Sequence, residues 1–306
     1  MRRAFSDTLV KMAAANDRVI FLTGDLGFQV FDAFKAGFPG RYVNVGVAEA
    51  QLMCAAAGLA LEGWRPIAYS IASFATARPY EQIRISICYH QLPVMVVGAG
   101  GGYTYARSGV THHAADDLAL MSLLPGMTVT APGSPEEVAE LMPQLLSIPG
   151  PSYLRIGKFG ERNYAAAEPV RLGKARLVRD GSGIAVVTTG DLAVEAVEAA
   201  DRLAADGIKP MVCQMHTVKP LDTAALENMA ARASVMIVVE EHVPCGGLFS
   251  AISRWQAERT GGARLVRLGP ADGLVLGNPE RDELRRQQGF DAAAIERACR
   301  AAWQAR

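Results

Sequence analysis

Short apolar segments alternate with segments of helical periodicity along most of the chain, and this alternation restricts the possible folds more than any other feature. Apolar runs that lack a polar residue at every second position are typical of strands buried on both faces. They predict a parallel sheet that is covered by helices on both sides. In the first half of the chain, the predicted strands are residues 19–23, 65–70, 92–98, 127–131 and 152–156.

A second unit of the same kind follows a polar stretch. The chain has 306 residues, which is a natural length for two domains of ordinary size. We predict a first domain over 1–165, a linker over 166–180 and a smaller second domain over 181–306. The predicted strands of the second domain are 184–188, 210–215, 235–239 and 264–268, and its helices are 193–205, 222–233 and 247–258. The sequence therefore predicts two doubly wound α/β domains.

Composition excludes several classes of function. Lysine plus arginine equals aspartate plus glutamate, at 31 each, so no broad field attracts nucleic acid or an anionic membrane. The five cysteines are scattered, without a Cys-x-x-Cys pair, and indicate neither a zinc site nor a disulfide framework. No apolar run reaches the ~20 residues of a membrane span, and the N-terminus lacks the apolar core of a signal peptide. We expect a cytoplasmic protein with no metal site of its own.

One acid, Glu49, lies in an otherwise apolar turn of small residues. Residues 44–51 read Asn-Val-Gly-Val-Ala-Glu-Ala-Gln, and the alanine-rich segment 52–61 is predicted to be a buried helix. Glu49 is then near the first turn of that helix and faces a pocket. An acid in the first turn can also be present only because the helix dipole favours it. Position alone leaves both interpretations open.

Several motifs resemble the transketolase family, and they follow the family's order along nearly all of the chain. Residues 46–51 are similar to the Gly-Ile-Ala-Glu-Gln signature of the pyrimidine-binding domain in thiamine-diphosphate-dependent relatives of transketolase. The other segments that resemble the family are 22–27, 78–84, Thr111-His112, 218–222 and Glu240-Glu241-His242 followed by Gly246-Gly247. The resemblance implies a pyrimidine-binding domain followed by a transketolase C-terminal-type domain.

The resemblance assigns three residues to the cofactor. Glu49 corresponds to the glutamate that hydrogen-bonds N1′ of the aminopyrimidine ring, which makes it both catalytic and cofactor-binding. Phe74 lies where the family places an aromatic ring stacked on the pyrimidine, and Arg78 begins the matching helix motif. A phenylalanine beside a strand is more commonly a core residue, so the stacking role of Phe74 competes with that interpretation.

Three further residues are assigned to the substrate. His112 matches the histidine of the family's Thr-His pair and is predicted to handle the substrate or a proton, with His113 beside it. These histidines follow the end of a strand, where open α/β sheets bind their ligands, although many histidines are purely structural. Arg155 matches an arginine that helps to bind the sugar phosphate in transketolases. The competing interpretation is an edge arginine paired with a surface acid.

Two positions depart from the family pattern. The glycine-rich loop 98–103 has only glycine and alanine where many transketolases carry a phosphate-binding histidine, and Ser108 stands where an acid commonly precedes His112. These departures put a phosphorylated sugar and the usual ketose stereoselectivity in doubt.

No segment resembles the domain that binds the cofactor diphosphate through a metal ion. The resemblance therefore implies one half of a split enzyme, with thiamine diphosphate and Mg²⁺ (or Ca²⁺) held mainly by a partner subunit. In the family the active site lies between protomers, which implies an α2β2 heterotetramer acting on a small sugar or 2-oxo acid.

The predicted function is the transfer of a two-carbon ketol or related acyl-anion unit to an aldehyde. Two alternatives share the cofactor, namely a 1-deoxyxylulose-synthase-like decarboxylative condensation and the β subunit of a 2-oxo-acid dehydrogenase. A third alternative is a regulatory subunit that keeps the fold and has lost the reaction, against which the presence of Glu49 argues.

Overall fold

A computed structural model describes residues 1–158 and 160–305, so the last residue of the predicted domain 181–306 lies outside the described residues. The strands are β1 (Val19–Thr23), β2 (Tyr42–Asn44), β3 (Arg65–Ile71), β4 (Met95–Ala99), β5 (Thr128–Thr130), β6 (Ser152–Ile156), β7 (Arg176–Arg179), β8 (Gly183–Thr188), β9 (Met211–Gln214), β10 (Thr217–Lys219), β11 (Ala233–Val239) and β12 (Arg264–Leu268).

Helices connect the strands and cover both faces of each sheet. They are α1 (Arg2–Ala15), α2 (Asp32–Gly37), α3 (Glu49–Leu61), α4 (Ala72–Thr76), α5 (Tyr80–Gln82), α6 (Asp117–Leu123), α7 (Pro135–Ser147), α8 (Ala193–Ala204), α9 (Thr223–Arg232), α10 (Leu248–Ala257), α11 (Arg281–Gln287) and α12 (Ala292–Gln304). A π-helical segment, Ile83–Cys88, continues α5. No helix in the described part of the chain is long and apolar enough to cross a membrane.

The first sheet has seven strands in the order β10-β5-β6-β4-β3-β1-β2, and only β10 is antiparallel to its neighbour. The second sheet has five strands in the order β12-β11-β8-β9-β7, in which β7 is the antiparallel edge. The prediction of two mostly parallel α/β domains is therefore confirmed.

Two strands are not predicted by the sequence pattern, and one of them connects the two domains. β10 comes from the second half of the chain and pairs with β5 of the first sheet, with Thr217 opposite Thr130. β7 lies inside the predicted linker 166–180 and pairs with β9. Both strands are short and have polar residues at both ends, so neither has the long apolar run by which the buried strands are found.

The first sheet separates two apolar cores because neighbouring residues of each strand point to opposite faces. Leu22 of β1 packs with Leu52 and Met53 of α3, whereas Phe21 packs with Phe5 of α1 on the other face. The apolar face of α3 fixes the helix against the sheet, which leaves its first residue at the carboxyl edge of β1 and β3.

A buried cluster of charged side chains joins the two domains. Glu241 accepts hydrogen bonds from the backbone N–H of Tyr103 in the first domain (2.6 Å) and from Arg285 (2.6 Å) and Arg281 (3.0 Å) of α11. Asp191 accepts from the same two arginines at 2.8 and 2.7 Å. Burial alone would raise the pKa of both carboxyl groups, but the two guanidinium groups outweigh it and hold each pKa below its ordinary value.

Replacing Arg285 with alanine should lower the free energy of unfolding by about 3–5 kcal/mol, because two buried carboxylates then share one cation fewer. Urea unfolding followed by circular dichroism measures the change. Arg286→Ala, on the exposed side of the same helix, is the matched control and should cost less than about 0.5 kcal/mol. Equal losses in the two variants would contradict a stabilising role for the cluster.

The same cluster predicts how this cost depends on pH. A carboxylate whose pKa is lowered in the folded state contributes stability above its unfolded pKa, which is about 4. That contribution is lost as the pH falls through the lowered folded pKa. The difference in unfolding free energy between wild type and Arg285→Ala should therefore shrink as the pH is lowered below about 4.

Candidate cofactor and substrate site

Glu49 is the first residue of α3 and is almost completely buried. Its Oε1 accepts a hydrogen bond of 3.0 Å from Ser70 Oγ, near the carboxyl end of β3, and its Oε2 accepts one of 3.1 Å from Arg78 Nη1. A Cβ at Gly24, just after β1, would lie 3.6 Å from Oε1. The carboxylate therefore lies at the carboxyl ends of two neighbouring parallel strands, where open α/β sheets bind their ligands.

Phe74 and Arg78 lie beside this carboxylate. Phe74 lies in α4 and Arg78 in the turn that follows this helix, and Arg78 Cζ lies 3.7 Å from the centroid of the Phe74 ring. Phe74 is only half-buried, so it does not behave as an ordinary core residue. The Arg78 guanidinium thus contacts the aromatic face of Phe74 and the carboxylate of Glu49 at the same time.

His112 approaches the same group from the loop that follows the glycine-rich segment. Its ring centroid lies 5.0 Å from that of Phe74, and its Nδ1 lies 2.9 Å from Thr111 Oγ1. Ser73 Oγ donates to the Thr111 carbonyl oxygen at 3.2 Å and ties this loop to α4. Burial lowers the pKa of His112, and the charges of Arg78 and His113 lower it further, so the imidazole is neutral at pH 7.

His113 lies on the second wall of the site. Its ring meets Tyr103 edge to face at 5.0 Å, and its Nε2 donates to the Ala106 carbonyl oxygen at 3.2 Å. A cavity of about 470 Å³ opens between His113 and the Phe74–Arg78 pair. Its lining residues are Ser73, Phe74, Ala77, Arg78, Tyr103, Val110, Thr111, His113, Ala115, Asp116, Val243, Gly273, Leu274 and Val275.

Arg155 is not brought into this group by its described contacts. It is buried in β6, where it lies 3.5 Å from Asp117 Oδ1 and donates to the Glu241 carbonyl oxygen at 2.9 Å. A Cβ at Gly101 would lie 2.0 Å from Arg155 Nε, so the glycine-rich loop is in close contact with the guanidinium. The acid that Arg155 contacts is buried rather than at the surface, and substrate binding by Arg155 stays a prediction.

Sequence reasoning did not find Ser70, Leu274 or Val275. Ser70 had a usable signal, because a serine at the carboxyl end of an apolar parallel strand lies where ligands bind. Leu274 and Val275 had none, since they reach the cavity only through the way the second domain packs on the first. Among residues 1–158 and 160–305, no group of three His, Cys, Asp or Glu side chains is arranged to hold a metal ion.

The fold and this cluster of residues define a two-domain α/β protein with a candidate ligand site at the carboxyl edge of its first sheet. Residues 1–159 match the model of the transketolase pyrimidine-binding domain, and residues 173–295 match that of the transketolase C-terminal domain. The chain therefore belongs to the transketolase family, which confirms the resemblance seen in the sequence.

Relatives of similar and of greater length are known. The chain is 34% identical to the 6-deoxy-6-sulfo-D-fructose transketolase subunit SqwH of Clostridium sp. (strain MSTE9), across 97% of this chain and 92% of that protein. It is 32% identical to 1-deoxy-D-xylulose-5-phosphate synthase of Chlorobium phaeovibrioides, across 96% of this chain and 47% of that protein. A solved structure described as a split gene transketolase, inactive β4 tetramer, superposes with a TM-score of 0.88 at 31% identity and covers 98% of this chain and 97% of that one.

Arg78 lies between the two groups that the sequence resemblance assigns to the cofactor. Transketolase-family relatives depend on thiamine diphosphate, whose aminopyrimidine is planar, stacks on aromatic rings and donates hydrogen bonds to carboxylates. The Arg78 guanidinium is also planar, lies on the face of Phe74 and donates to Glu49. Phe74 and Glu49 therefore have the chemistry that an aminopyrimidine ring requires, and a ring bound to both would compete with the guanidinium for the same space.

This competition predicts that removing the guanidinium improves binding of the pyrimidine. Arg78→Ala should bind thiamine about tenfold more tightly than wild type, since the ring no longer has to displace a half-exposed ion pair and a cation–π contact. Thiamine lacks the diphosphate, so isothermal titration on this chain alone isolates the pyrimidine contacts. Arg84→Ala, an exposed arginine on the following helical segment, is the control; weaker binding by Arg78→Ala would instead make Arg78 a cofactor ligand, as the sequence motif predicts.

Proposed function

We propose that this chain is the pyrimidine-binding subunit of a two-subunit, thiamine-diphosphate-dependent enzyme that transfers a two-carbon ketol or related acyl-anion unit to an aldehyde. The observation that carries the proposal is the pairing of a buried carboxylate, Glu49, with a half-buried aromatic face, Phe74, by one planar cation. Both groups are then positioned to bind a single aromatic ring that donates hydrogen bonds.

Each residue has a distinct task in this proposal. Glu49 holds the aminopyrimidine ring through a hydrogen bond, Ser70 keeps the Glu49 carboxylate in place, and Phe74 stacks on the ring. The bound cofactor supplies the acyl-anion equivalent, while the protein supplies position and electrostatics. His112 is neutral and has Nδ1 beside Thr111 Oγ1, so its Nε2 is the ring nitrogen that exchanges a proton or hydrogen bond with the substrate.

The remainder of the cofactor site belongs to a partner subunit. We assign the diphosphate and its Mg²⁺ (or Ca²⁺) to that partner, in an α2β2 heterotetramer of the cytoplasm. Two observations support a partner: a transketolase subunit that this chain matches over 92% of its length, and a similar solved chain described as an inactive β4 tetramer.

A decarboxylative condensation is the second candidate. The similarity to 1-deoxy-D-xylulose-5-phosphate synthases favours it, because the chain is 32–33% identical to several of them and spans about half of their length. The two reactions share the cofactor and differ in the donor, which is a ketose in one case and, in the other, a 2-oxo acid without a hydroxyl group on C3. Assaying the reconstituted complex with both donors separates them.

Two measurements test the proposal together. This chain alone should show no turnover with thiamine diphosphate and Mg²⁺, and addition of the co-purified partner should restore it. In the restored complex, Glu49→Gln should lower turnover at least a hundredfold, because it removes the group that bonds the pyrimidine.

Glu62→Gln is the matched control, since Glu62 is exposed at the other end of the same helix. It should leave turnover unchanged. Robust turnover by the isolated chain would contradict the split site. Wild-type rates in Glu49→Gln would favour a regulatory subunit.

A further inference from the structure

The second domain forms one wall of the cavity that opens beside Phe74. The segment 273–275, in the loop between β12 and α11, lines this cavity opposite Phe74 and Arg78 of the first domain. Leu274 leaves 75% of its surface exposed, so its apolar side chain is accessible to a ligand that enters the cavity. The two domains therefore share the space next to the cofactor-facing residues.

The charges around the cavity do not suit a strongly anionic group on that wall. Among the described lining residues, the basic side chains are Arg78 and His113, and Arg78 already bridges Glu49 and Phe74. Asp116 adds a carboxyl group to the lining. Phosphate and sulfonate groups are bound by several charged or N–H donors that converge on them. Val110, Leu274 and Val275 offer none from their side chains.

We propose that Leu274 and Val275 determine substrate specificity by binding an uncharged, apolar end of the substrate, such as the alkyl chain of an aliphatic aldehyde. This inference rests on the proposed function and names the substrate class of the same site. Each methylene that the wall covers should favour the longer substrate by about tenfold in kcat/KM. A phosphorylated aldehyde gains nothing from this wall, because its charged end would lose water without gaining a cation.

The test reaction uses hydroxypyruvate as donor and either butanal or glyceraldehyde 3-phosphate as acceptor. The bond between C1 and C2 of the donor breaks and CO₂ leaves. The electron pair of that bond is carried into a new bond between donor C2 and the aldehyde carbon, and the aldehyde oxygen takes up one proton. The products are CO₂ and a ketose or alkyl ketol, so the reaction needs no oxidant or reductant.

Leu274→Arg and Leu276→Arg form a matched pair of variants. Leu276 is as exposed as Leu274, at 79%, and lies two residues away, but it does not line the cavity. In the complex with the partner, we expect wild type to prefer butanal by at least about tenfold. Leu274→Arg should shift this preference toward the phosphorylated acceptor by at least about tenfold, and Leu276→Arg by less than about twofold.

A wild-type preference for glyceraldehyde 3-phosphate would overturn the proposal, and so would equal shifts in the two variants. Absence of ketol transfer with every acceptor would instead refute the proposed function. Saturation-transfer NMR of this chain with 1-butanol then decides the role of the wall separately. A signal in wild type and Leu276→Asp that is lost in Leu274→Asp supports the wall; equal signals, or none in wild type, overturn it.

Discussion

The burial of the Glu49 carboxylate is the constraint on which the site depends. A buried carboxylate destabilises a fold by several kcal/mol unless hydrogen bonds and an opposite charge compensate it. Ser70 supplies a fixed hydrogen bond from the end of a sheet strand. Arg78 supplies the charge from a side chain that is 49% exposed, against 3% for Glu49. One compensating group is therefore rigid, and the other can be exchanged at small cost.

The buried ion-pair cluster between the two domains also fixes the loop that leads to His112 and His113. Glu241 holds the backbone of the glycine-rich loop through Tyr103 N–H, and the Glu241 side chain would collide with any Cβ placed at Gly102. The loop then carries His112 and His113 toward α4. Because the same carboxylate is locked by two arginines of α11, the second domain sets the position of a loop in the first. The positions of His112 and His113, the residues proposed to face the substrate, thus depend on ion pairs that lie outside the cavity.

Much of the architecture can be predicted from the sequence because strands that are buried on both faces of a parallel sheet have continuous apolar sequences. β1 and β6 occur at the predicted residues, and β3 ends one residue later than predicted. α1 was overlooked although Phe5, Leu9 and Met12 have helical spacing and are all buried. The edge strands could not be found in this way, since pairing with a distant strand, rather than local pattern, makes segments such as β10 extended.

Some residues of the candidate site could be predicted from the sequence, and others could not. Glu49, Arg78 and His112 belong to motifs that resemble the family, and Phe74 lies in the stretch where the family places an aromatic ring. The fold brings Glu49 to Arg78, Arg78 to Phe74, and Phe74 to His112. The contacts of Arg155 follow from long-range packing that no motif encodes. The position of Arg78 also follows from the fold rather than from a motif. Its guanidinium lies on the Phe74 ring and donates a hydrogen bond to the buried Glu49 carboxylate.

The exposure of the candidate site has a physical consequence for the proposed assembly. Phe74 and Arg78 are partly open to water, and Val47, just before Glu49, is largely exposed. Reactive carbanion chemistry requires water to be excluded, and electrostatic interactions strengthen when it is. This chain alone cannot exclude water from the Phe74 face, whereas a second protein surface placed over it would do so. In the proposed assembly, Arg78 would keep the buried Glu49 carboxylate compensated until the second protein surface and the cofactor cover it.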